Sequence, residues 1–68
     1  MEHEWLPVYV SDKMHLIEIV KAILKTNHIA FVEVDKKDST NIMMGAVEIH
    51  VQRKELLRAK FLIEKNEL

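Results

Sequence analysis

The residues with chemical capacity fall into two groups, and the first is Lys36-Lys37-Asp38-Ser39. It opens a ten-residue stretch, KKDSTNIMMG (36–45), that joins two strand-like runs. Two ammonium groups beside a carboxylate and a hydroxyl suit an anionic ligand, with Lys36 and Lys37 supplying charge and Asp38 and Ser39 orientation. A tight hairpin uses about two to five residues, and a longer connection is either functional or held by its own packing. Both remain open here. Asp38, Ser39 and Thr40 can equally bond back to nearby backbone groups as Asx and ST turns. Ile42, Met43 and Met44 can then fold down as a lid.

The second group is Glu48 and His50, two residues apart on one strand, with Glu33 on the strand before. If the strands pair with Glu33 opposite Glu48, the two carboxylates and His50 could hold a cation. Like charges directly opposite are unfavourable, and a register shifted by two, with Phe31 against Glu48, relieves them. Asp38, Ser39 and His50 supply the residue types of a catalytic triad. No nucleophile elbow or oxyanion loop frames them, so an enzyme is not expected. His3, His15, His28 and His50 lack the spacing of a zinc site. Met1-Glu2-His3 with a free amine has the nitrogen donors of a Cu(II) or Ni(II) chelate, a pattern common by chance. No metal or cofactor is expected. Arg53 and Lys54 open the last helix as anion contacts or as solvated surface charges.

The chain that must position these groups has 68 residues, 49% of them apolar and 31% charged. One domain, 1–68, is expected, with a core too small for comfort. It has no cysteine, which removes disulfides and thiolate sites. Oligomerisation is then the expected support. The net charge is −1 and the basic residues are scattered, so no nucleic-acid footprint is visible. Met1-Glu2-His3-Glu4 is acidic where a signal peptide would be basic. Lys21, Lys25 and Glu33 interrupt the apolar runs, well short of the ~20 residues of a membrane span. A cytoplasmic protein with no membrane partner is expected.

Trp5 to Val10 reads as a strand, and Pro7, which cannot donate to a ladder, assigns it to a sheet edge. Ser11 or Asp12 can cap a helix over 12–27. In it Leu16, Ile17, Ile19, Val20, Ile23 and Leu24 share a sector of about 160°. Asn27 suits its C-terminal cap. Strands follow at 29–35 and 46–51, then a helix at 52–66 with Leu56, Ala59, Leu62 and Ile63 on one face. Alternation gives Leu6, Val8, Val10, Ala30, Val32, Val34, Val47, Ile49 and Val51 to the core. It gives Trp5, Tyr9, Phe31, Glu48 and His50 to the outer face, where uncovered aromatic surface marks an interaction site. Leu57 and Phe61 stand off the core face of the last helix, to extend that interface or to pack under Leu68. The order β-α-β-β-α, with strand three central, describes an α+β two-layer sandwich with both helices on one face of a three-stranded sheet.

The stretches WLPVYV, IVKAILKTNHIAFVEVDKKDST, GAVEIHV and LLRAKFLI resemble the short bacterial domains catalogued as prokaryotic signal-transducing proteins. In that family a W-x-x-V-Y strand leads to a G-I-x-A turn, a K-K-D-S segment, G-x-I-E-L-x-V and an A-K-x-I-L helix. The resemblance runs from Trp5 to Ile63. It implies a PII-like, ferredoxin-like fold and a regulatory, small-ligand-sensing role in signal transduction, and names no reaction. Two departures stand out: His28 replaces a glycine, and Gln52-Arg53-Lys54 replaces an acidic helix start. The expected assembly is a homodimer that senses a small anionic ligand. The alternative is a protein-interaction adaptor that uses the aromatic outer face and takes no ligand.

Overall fold

The computed structural model describes residues 4–35 and 46–68. Strand β1 (Trp5–Ser11) is followed by helix α1 (Met14–Thr26), strands β2 (Phe31–Asp35) and β3 (Val47–Gln52), and helix α2 (Leu56–Lys65), which a 3-10 turn at Arg53–Glu55 introduces. The protein is α+β with the expected β-α-β-β-α order. β3 lies between β1 and β2 and is antiparallel to both, so the two outer strands run parallel to each other.

The alternation of β3 builds the core as expected. Val47, Ile49 and Val51 are exposed by only 4, 0 and 0%. Ile17, Val20 and Leu24 of α1 and Ala59 and Ile63 of α2 join them in one cluster. Sharing the same inward row of β3 puts both helices on one side of the sheet. Leu16 and Ile23 are half-buried, and Ile19, at the rim of the expected sector, is exposed. No polar side chain is buried among the described residues.

Both helices stop in the same way. After α1, the Ile29 N–H donates to the Leu24 carbonyl (2.9 Å) and the His28 N–H to that of Lys25 (3.0 Å). After α2, Leu68 donates to Ile63 (3.3 Å) and Glu67 to Glu64 (2.9 Å). These are paired Schellman motifs, which satisfy last-turn carbonyls and fold an apolar residue back onto the helix. Asn27 and Asn66 each add a side-chain bond of 2.8 Å to the carbonyl four residues earlier. The motif requires a left-handed residue after the cap, and His28 and Glu67 both have φ of 61°. At its other end α1 departs from expectation. β1 runs on through Ser11, and the capping position falls to Lys13, whose side chain makes no cap bond. The Ser11 hydroxyl instead accepts the Lys13 N–H at 3.0 Å.

Two expected face assignments are overturned. In β1 the register shifts between Pro7 and Tyr9. Pro7 stands opposite His50 and Tyr9 opposite Ile49, so Val8 is an extra residue in a β-bulge. Beyond it the faces exchange: Tyr9 packs on the core and Val10 is 48% exposed. In β2, Phe31 pairs with Val51, Glu33 with Ile49 and Asp35 with Val47. This is one residue away from the register that would set Glu33 against Glu48, and a one-residue slip turns a whole strand over. Phe31 therefore packs on the core, while Val32 and Val34 lie on the outer face beside His50 and Glu48. The physical reason lies in the partners available on the helix side. There Phe31 buries a larger apolar surface than a valine would, and Glu33 meets Lys21 of α1 at 2.9 Å.

Two outcomes follow for stability. His28→Gly should stabilise the fold by about 1 kcal/mol, the approximate strain of a left-handed non-glycine residue, as measured by urea denaturation. Phe31→Ala should cost about 2 kcal/mol, for a half-buried ring, while Val32→Thr stays within about 0.5 kcal/mol. The opposite ranking would restore the alternation-based faces of β2.

Candidate functional site: the outer face of the sheet

The face turned away from the helices is built from the even positions of β3 and their neighbours. Pro7, His50 and Val32 form one row across the three strands, and Val10, Glu48 and Val34 form the next. Trp5, opposite Gln52 and 37% exposed, closes one corner. Val10 and Val32 are 48 and 41% exposed. The result is a strip of polar side chains on the middle strand, walled by apolar residues on both flanks.

Glu48 and His50 are coupled directly. Their side chains are only 23 and 19% exposed, and His50 Nε2 lies 2.8 Å from Glu48 Oε1. A carboxylate can only accept, so Nε2 carries the proton and donates it. The flanking valines and Pro7 take solvent from both groups, and the pair satisfies in place of water what that burial removes. Chemically the strip offers a hydrogen-bonded carboxylate–imidazole pair within an apolar frame.

Of the expected interface residues, the structure brings Trp5, Glu48 and His50 to this face. Tyr9 and Phe31 are not on it, for the reasons of register given above. Their places are taken by Val10, Val32 and Val34, which alternation alone had assigned to the core. For Val10 the one signal was Pro7, since proline inside a strand marks an edge or a bulge; for Val32 and Val34 the sequence carried none. The cation site built from Glu33, Glu48 and His50 is also overturned, because Glu33 lies on the opposite face. Among the described residues no group of three or more His, Asp or Glu side chains is placed to hold a metal ion. The expected ligand-binding residues Lys36, Lys37, Asp38 and Ser39 lie outside the described residues. No described helix is long and apolar enough to cross a membrane.

The helix side carries its own polar contacts. Lys21 bridges Glu33 at 2.9 Å and Glu18 at 3.4 Å. The bond to Glu33 above all, opposed by desolvation and helped by Glu18, holds the ammonium above its ordinary value of 10.5. Arg53 is tied to Glu4 at 3.1 Å rather than set to receive an anion. A shallow open groove of about 470 Å³ runs between α1 and α2, floored by Ile19, Ile23 and Leu62 and rimmed by Thr26 and Lys65.

A raised lysine pKa adds stability that is complete below the unfolded value and lost as pH climbs through the folded one. The excess stability of the wild type over Glu33→Gln should therefore be constant from neutral pH to about 10 and shrink above 10.5. Denaturation midpoints of the two proteins in parallel check this; a constant difference throughout would place Glu33 away from Lys21. No protein-family model, curated protein or solved structure matches this chain.

Proposed function

We propose that this chain is a small interaction module that works as a homodimer joined through the outer face of its sheet. The observation that carries this reading is the apolar frame of Trp5, Pro7, Val10, Val32 and Val34 around Glu48 and His50, which no described element covers. Contiguous apolar surface of this kind on a soluble domain commonly marks a contact site.

The two edges of the sheet are poor alternatives. β1 carries Pro7 and the bulge, and β2 carries Glu33 and Asp35 as inward-facing charges, both of which discourage strand addition. The face is also self-complementary. A two-fold axis lying across the strands, level with Ile49, sets His50 of each copy over Glu48 of the other. The same operation sets Val32 over Val34 and Pro7 over Val10, apolar against apolar. The molecule measures 32 × 29 × 15 Å, so a broad face is of the order of the roughly 800 Å² per partner in a standard interface.

The strand order supports a ferredoxin-like, PII-like reading of the sandwich, one strand short of the full pattern. A regulatory role in signal transduction would then be exercised by the dimer. The ligand-sensing form of that role rests on Lys36, Lys37, Asp38 and Ser39, and on the resemblance of that segment alone, so the interface reading stands first.

Val10→Lys combined with Val32→Lys should convert a species of twice the 8.0 kDa chain mass into one of 8.0 kDa. Light scattering coupled to size exclusion reads the mass, and far-ultraviolet circular dichroism confirms an unchanged fold. A wild type that is monomeric at every concentration would sink the proposal, as would a double variant that stays dimeric.

A further inference from the structure

The opposite side of the sheet holds a second apolar surface that no described residue covers. Leu57 and Phe61 are 81 and 64% exposed, more than any other large apolar side chain among the described residues. They are four residues apart on α2, so they stack into one ridge. Ala59 and Ile63 of the same helix are buried in the core, which turns this ridge away from the sheet. Two large apolar side chains at these exposures add little to the packing of the described residues.

The surroundings of the ridge are cationic. Residues 53–65 hold Arg53, Lys54, Arg58, Lys60 and Lys65 against Glu55 and Glu64, in a chain whose net charge is −1. Lys60 flanks one side of the ridge and Arg58 the other, with Lys54 just before the helix. Arg58 is held by Glu55 at 3.5 Å and by the Asn27 carbonyl at 3.3 Å. Lys54 and Lys60 have no ion pair among the described residues.

From this we infer that the Leu57–Phe61 ridge is a docking site for an acidic, amphipathic protein segment, whose apolar side covers the ridge and whose carboxylates meet Lys54 and Lys60. A second copy of α2 is a poor occupant, because it would bring cation against cation. A lipid surface is also a poor one: α2 has ten residues and its ridge is only two side chains wide, too little apolar area to hold a helix on a bilayer. An acidic partner satisfies both the apolar and the charged parts of the surface, in the manner of a helix laid against a helix face. This inference is independent of the sheet-face dimer, since the two surfaces lie on opposite sides.

The test uses the full chain as bait for a displayed library of amphipathic helical peptides. Their apolar positions are fixed, and their polar positions draw on Asp, Glu, Lys, Arg and Ser. Enrichment of Asp and Glu at the polar positions supports the inference, provided that Leu57→Ser with Phe61→Ser, or Lys54→Glu with Lys60→Glu, weakens the selected peptides at least tenfold. Both variants should retain the wild-type circular dichroism and oligomeric mass, because the altered side chains are exposed. Enrichment without acidic bias, peptides that bind the Leu57→Ser/Phe61→Ser variant undiminished, or no enrichment at all would overturn it. So would co-sedimentation with phosphatidylglycerol vesicles when no peptide is retained.

Discussion

The inward row of β3, Val47, Ile49 and Val51, is kept almost free of water, and the position of every other element follows from keeping it so. Burying an aliphatic side chain of this size stabilises by about 1.5–3 kcal/mol, while a domain this small retains only about 3–5 kcal/mol in total. Both helices must therefore lie on the side to which that row points. The neighbouring strands are then constrained in turn: β1 adds Leu6 opposite Val51 and, past the bulge, Tyr9 opposite Ile49. β2 adds Phe31 opposite Val51. What remains on the other side, Glu48 and His50 with their apolar flanks, is there by the parity of the pleat.

How far the sequence was legible depends on the strength of each local signal. α1, α2 and β3 are legible because their apolar periodicity is strong and their whole buried face meets partners. Ile17, Val20, Leu24, Ala59, Ile63 and the row of β3 all sit where periodicity puts them. The central place of β3 and the edge place of β1, announced by Pro7, are legible too. The edge strands were misread for a shared reason: only part of an edge strand is covered by the helix layer, so alternation of valine with charge does not say which side is inward. Glu33 is inward because a lysine of another element waits there, a contact between residues twelve apart that no local pattern contains. The bulge is an event of pairing, and pairing has no signature in Val8 itself. The error displaced two of the five expected interface residues, Tyr9 and Phe31, while leaving Trp5 and the polar centre, Glu48 and His50, in place.

The molecule is chemically two-sided. One broad surface is apolar with the hydrogen-bonded Glu48–His50 pair at its middle; the other carries cations around an isolated apolar ridge. A dimer closed through the first surface would bury the apolar sheet face of each chain and turn both α2 ridges outward, in opposite directions. Such an assembly would present two equivalent binding surfaces more than a chain's thickness apart, and its avidity for a partner with repeated segments would depend on the spacing of those repeats.

The bulge at Val8 also bears on how such a sequence can vary. Removing one residue from a regular strand turns every following side chain to the opposite face, so core strands rarely tolerate deletions. Here residue 8 is the surplus one: without it, Tyr9 would still stand opposite Ile49 and Val10 opposite Glu48. Loss of one residue at this position would keep Tyr9 and Val10 on their present faces, at the cost of the Val8 side chain that packs against the core and of the local bend and twist of the edge. β1 is thus a strand in which a one-residue deletion, ordinarily the most disruptive of small sequence changes, is reduced to a change of curvature and the loss of one packed side chain.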